Sequence, residues 1–106
     1  MHSNLRITSE CCRALGNLSH FPAVIDQFRS SGADKILLTL LDSSEIDLVV
    51  NVIGIFINFT NRPGGNLELF TDFGKLLRAI KEFNDWRVSN LTLQLIWNLV
   101  RNQTQV

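Results

Sequence analysis

The sequence predicts an all-α chain of stacked helical repeats, an α-solenoid, on three observations. Asn17, Asn58 and Asn98 lie 41 and 40 residues apart. Their settings match: Ala14-Leu15-Gly16-Asn17-Leu18-Ser19, Ile55-Phe56-Ile57-Asn58-Phe59-Thr60 and Leu95-Ile96-Trp97-Asn98-Leu99-Val100. Self-similarity at a period near 40 marks a helical solenoid. The flanking residues then agree in columns. Ten before each asparagine stand Ile7, Leu48 and Val88; five before, Cys12, Ile53 and Leu93; two before, Leu15, Phe56 and Ile96; one after, Leu18, Phe59 and Leu99. These offsets fall close to one helical stripe, which assigns that stripe to the core. Finally, no turn-bounded segment alternates with period two, so strands are not expected.

The elements follow in order. A long helix over about 4–19 carries the first asparagine. Pro22 suits the first turn of a helix over about 22–31, and Gly32 suits its end. After a short helix over about 34–41, Asp42-Ser43-Ser44-Glu45 offers caps for a long one over about 45–61. There Ser44 and Asp47 resemble a capping box. Pro63-Gly64-Gly65 reads as a turn, Asn66 as the cap of a short helix over about 66–73, and Gly74 as its end. A helix over about 75–83 follows, and Asn84 or Asp85 caps the last, over about 86–102. The pattern of about seven helices is long; short, short, long; short, short, long. The second helices repeat too: Ile36-Leu37 and Leu40 recur 40 residues later as Leu76-Leu77 and Ile80.

A chain of 106 residues is one domain at most, and 45% hydrophobic with 19% charged residues is ordinary globular composition. Ten basic and ten acidic residues cancel without a basic block, so no nucleic-acid or anionic-membrane partner is expected. Cys11 and Cys12 are adjacent and point about 100° apart on a helix, which disfavours a disulfide and favours a reducing, cytoplasmic compartment. No charged-then-apolar leader opens the chain. The apolar run from Ile46 to Phe59 is short of the roughly 20 residues of a membrane span, so buried helix is expected and membrane insertion is not.

These residues resemble the armadillo repeat, a three-helix unit. Ala14 to Ser19 matches the Ala-Leu-x-Asn-Leu-Ser ending of its third helix. Gly32-Ala33 before Leu37, Leu40 and Leu41 matches the opening of its second. The resemblance implies a right-handed superhelix: an orphan third helix (4–19), two repeats (21–60 and 61–101) and a polar tail (102–106). Asp85-Trp86, Leu95-Ile96-Trp97-Asn98 and Ile53 to Thr60 resemble a branch associated with axoneme assembly in motile cilia and flagella. The importin-α branch carries a Trp four residues before each asparagine. Here Arg13, Gly54 and Gln94 stand there, so nuclear import is not implied. The first repeat lacks two helices although the sequence begins at Met1, so either it is a piece of a longer solenoid or Met1 is not the native start.

The asparagine column has two functional readings, which are not exclusive. Its amides can pair with the backbone of an extended peptide, or satisfy loop carbonyls after their own helices. One-turn steps from each asparagine sketch a concave face of Arg13 and Asn17, then Gly54, Asn58 and Asn61, then Gln94, Asn98 and Arg101. That polar, weakly basic surface suits an acidic or neutral segment; the alternative is a solvated face with no ligand. The sequons at Asn17, Asn58, Asn90 and Asn102 are by-products of the repeat. Cys11, Cys12 and His20 lack metal-site spacing, and at least one cysteine is expected in the core. Trp86 and Trp97, eleven residues apart on about one face, are expected in the core rather than as a stacking platform.

No constellation suggests catalysis, a cofactor or a metal. The function expected is a non-catalytic scaffold that binds a protein segment or a neighbouring domain along the groove. The alternative is a purely structural extension of a solenoid, ended by the polar run from Arg101 to Val106. Ile7, Leu15 and Leu18 should face missing helices, which predicts a marginal or self-associating chain.

Overall fold

Six helices and no strand make up the ordered elements among the described residues, 2–62 and 74–104 of the computed structural model. They are α1 (His2–Leu18), α2 (Pro22–Ser31), α3 (Ala33–Leu40), α4 (Ile46–Thr60), α5 (Gly74–Phe83) and α6 (Trp86–Thr104). The all-α class therefore stands. The helix expected over 66–73, with its Pro63-Gly64-Gly65 turn and Asn66 cap, lies outside the described residues.

Local chemistry sets the boundaries. Pro22 occupies the first turn of α2, where the missing N–H is not needed. Gly32 ends that helix at φ +77°, its N–H reaching the carbonyls of Arg29 and Phe28, and α3 starts at the next residue. The capping box expected at Ser44 and Asp47 does not form. Glu45 is the residue that caps α4, with no side-chain cap bond, and Ser44 lies one position outside it. The hydroxyl that acts is that of Ser43, which accepts the Glu45 N–H at 3.0 Å. Gly74 lies in α5, and the helix it was expected to end lies outside the described residues. Asp85 caps α6 as expected, its Oδ1 accepting the Arg87 N–H at 2.8 Å. That backbone bond, foremost, holds the Asp85 carboxyl below its usual range. Asn84 makes the short connection at φ +47°, a conformation asparagine tolerates.

The three long helices form one layer with α4 in the middle, flanked by α1 and α6. Side-chain bonds from Asn51 to Ser9 and from Asn58 to Gly16 show α1 and α4 running parallel. Asn98 to Ile57 and Asn102 to Thr60 show the same for α4 and α6. α3 packs on α4 and α5 on α6. The core is centred on Leu48, Val52, Ile53, Ile55, Phe56 and Phe59 of α4. Phe59 meets Phe28 and Phe56 edge to face, with centroids 5.5 and 6.1 Å apart. Asp42 bridges to Lys75 (2.8 Å) and to Arg78, tying the end of α3 to α5.

The expected columns are buried where a neighbour exists. All of them are buried in α4, and Val88 and Leu99 in α6. Ile7 (62% exposed) and Leu18 are open, as expected of a first layer without its own second helix. Leu93, assigned to the core with Cys12 and Ile53, is 58% exposed. The same correction applies to Trp86 and Trp97, which are 73% and 60% exposed instead of buried. All three lie on the face of α6 turned away from α4, and no described element covers it. The second-helix register also shifts: Leu37 and Leu76 are buried while Ile36 and Leu77 are exposed, one residue off the expected pairing. Cys12 is buried and Cys11 exposed, both as free thiols. No helix among the described residues is long and apolar enough to cross a membrane.

Candidate interaction groove

The last four carbonyls of a helix have no partner within it. In this chain the asparagine of the next layer supplies one. Asn58 Nδ2 donates to the Gly16 carbonyl at 3.2 Å and to Ser19 Oγ at 2.7 Å. Asn98 Nδ2 donates to the Ile57 carbonyl at 3.3 Å and to Thr60 Oγ1 at 3.2 Å. The geometry repeats to the residue: each amide reaches the carbonyl one before, and the hydroxyl two after, the asparagine of the preceding layer. The hydroxyls complete the motif by donating backwards, Ser19 to the Gly16 carbonyl (2.7 Å) and Thr60 to that of Phe56 (2.8 Å). Asn-x-Ser/Thr is thus an interlayer staple.

The amides therefore serve neither loop after their own helices, the structural role considered from sequence, but the end of the helix before. Asn98 is fully buried, and its Oδ1 accepts from Gln94 Nε2 at 3.0 Å. It presents nothing to a ligand in this arrangement. Asn58 is half-buried, with no bond to its Oδ1 among the described residues. Asn17, the first of the column, is exposed, and its side chain makes no hydrogen bond among them.

A groove of about 420 Å³ runs across α1 and α4. Arg13, Asn17, Gly54 and Asn58 of the expected concave face line it. Asn61, Gln94, Asn98 and Arg101 do not; Arg101 instead donates to Asn61 Oδ1 at 3.5 Å. Gly16 and Gly54 keep the floor low, and nothing lies within 4 Å of a Cβ built on Gly54. Val50, Ile57 and Leu91 make the walls apolar, and His20 adds an imidazole to the lining. Arg13 is held by Glu10, with NH2 to Oε2 at 2.6 Å, which lowers the net positive charge offered to a ligand.

Sequence reasoning missed Asn51 and Asn102. Asn51 Nδ2 donates to the carbonyl and hydroxyl of Ser9, at 3.1 and 3.2 Å, and also lines the groove. Asn102 Nδ2 reaches the Thr60 carbonyl at 2.9 Å. The available signal was helical spacing: Asn51 lies seven before Asn58, and Asn102 four after Asn98, on the same faces. The buried Cys12 on the floor has its thiol pKa raised, first by burial and then by Cys11, which makes it a poor nucleophile. Comparison with protein-family models, curated proteins and solved structures gives no match.

Proposed function

We propose that the chain is a non-catalytic protein-interaction scaffold, an armadillo-type right-handed α-solenoid that takes an extended partner segment along the α1–α4 groove. One observation carries this reading: an apolar floor, lowered by Gly16 and Gly54, runs beside two amides with spare bonding capacity, Asn17 and the Oδ1 of Asn58. An extended segment has backbone N–H and C=O groups that need such partners, and side chains that an apolar floor shelters. The narrower resemblance, to armadillo repeat-containing protein 2, supports a role for this activity in assembly of the axoneme of cilia and flagella.

Panning a library of random linear peptides on phage tests the groove. Wild-type protein should enrich binders, and Gly54→Trp, which fills the floor, should lose them while keeping its helical spectrum. Failure to enrich any peptide, or equal enrichment on Gly54→Trp, would refute it. A second reading rests on the staples: with Asn58 Nδ2 and the whole of Asn98 engaged between helices, the chain extends or caps a solenoid and binds nothing along its groove.

A further inference from the structure

Among the described residues, α1 and α6 each pack on α4 along one face and leave the opposite face exposed. Toward α1, α4 turns Asn51, Ile55 and Asn58, which stand seven, three and zero residues before its asparagine position. α1 answers with Ser9, Gly16 and Ser19, at eight and one before and two after its own. On the far side of α6 that second set is Asn90, Trp97 and Val100, with Trp86 and Leu93 extending the stripe, all exposed. On the far side of α1 the first set is Glu10, Ala14 and Asn17, with Ile7 beside them, again all exposed.

We propose that the two open faces bind each other between copies of this chain, α1 of one lying parallel on α6 of the next. The contact would continue the α1–α4 and α4–α6 interfaces in the same register. Sizes are complementary. Gly16 sits against Ile55 inside the chain, and the equivalent contact between copies sets Trp97, the largest side chain, over Ala14. Polarity is complementary as well. Asn90 meets the Glu10 carboxylate, and the unused Asn17 amide meets the Trp97 carbonyl as Asn58 meets that of Gly16. Val100 stands where Ser19 and Thr60 carry hydroxyls, so this staple has one bond instead of two and the contact is weaker than its interior counterparts. Pairing two α6 faces would oppose Trp97 to Trp97 and leave Asn17 unmet. A head-to-tail contact uses different patches on its two sides and does not close on itself, so assembly is open-ended.

Light scattering on the intact chain, over micromolar to millimolar concentration, tests this with two surface variants. Ala14→Glu blocks the α1 face and Trp97→Glu the α6 face; both positions are exposed, so circular dichroism should show unchanged helicity. Wild-type mass should rise with concentration past twice the 12.0 kDa monomer. Each variant alone should remain monomeric. Mixed, they should form a one-to-one dimer that grows no further, because each retains the face that the other lacks. A wild type that stays monomeric overturns the proposal. So does either variant associating by itself, which would reveal a two-fold contact, or a mixture that fails to dimerise.

Discussion

Asn98→Ala removes a complete interlayer staple at a fully buried position. The change deletes bonds to the Ile57 carbonyl and Thr60 Oγ1, and the acceptor for Gln94. Thr60 Oγ1 keeps its donated bonds to the Phe56 and Ile57 carbonyls, at 2.8 and 3.2 Å, so both acceptors of the amide retain a partner but lose the donor that joins α6 to α4. Each of the two lost donated bonds is worth about 0.5–1.5 kcal/mol, and the small void left at a fully buried position adds to them, so a loss of roughly 2–3 kcal/mol is expected. For a chain of this size that lowers Tm by about 10–20 °C, at about 4–8 °C per kcal/mol. Asn17→Ala, at the same column position but exposed and unbonded, should change stability by less than about 0.5 kcal/mol. Asn58→Ala falls between them. Urea unfolding followed by far-ultraviolet circular dichroism at constant slope gives the values. Adding Thr60→Val completes a double-mutant cycle, in which a coupling of about 0.5–1.5 kcal/mol is expected from one hydrogen bond. If Asn17→Ala costs as much as Asn98→Ala, or the coupling is zero, the staple is not the role of this column.

Phe59→Ala empties the site between Phe28 and Phe56 and should cost about 3–5 kcal/mol, read from the same urea curves. Asp42 is held below its ordinary 3.8 mainly by its hydrogen bond from Lys75. A folded-state pKa lowered in this way stabilises above the unfolded value, and the stabilisation is lost as pH falls through the folded one. Asp42→Asn should therefore cost at most about 1 kcal/mol at neutral pH, since the pair is half exposed, and the gap to wild type should close below pH 3.8. Thiol titration with an aromatic disulfide should modify Cys11 at once and Cys12 only on unfolding, because Cys12 is buried and its pKa is raised. Two thiols reacting equally fast in the native chain would contradict the buried placement.

Much of the fold was legible because helix periodicity assigns a face to each residue before any neighbour is known. The 41- and 40-residue spacing located the three long helices, and Pro22, Gly32 and Asp85 marked ends where the backbone needs them. The groove was partly legible: Arg13, Asn17, Gly54 and Asn58 do share it, as one-turn spacing implied. Asn61, Gln94, Asn98 and Arg101 fall elsewhere, because one-turn steps along single helices ignore how neighbouring helices are set beside them. The Ser44 capping box failed for a local reason, a helix start displaced by one residue.

The sequence by itself determined which residues lie on a common stripe, and therefore the all-α class and the repeat of the asparagines. Only the tertiary structure decided what stands opposite each stripe. The same column position is buried as Ile53 and exposed as Leu93, and the same amide is engaged at Asn98 and free at Asn17. Periodicity is a property of one helix, whereas burial and hydrogen bonding belong to pairs of helices. Among the described residues α4 is flanked by a long helix on both sides, and α1 and α6 on one side each, which is why their columns differ.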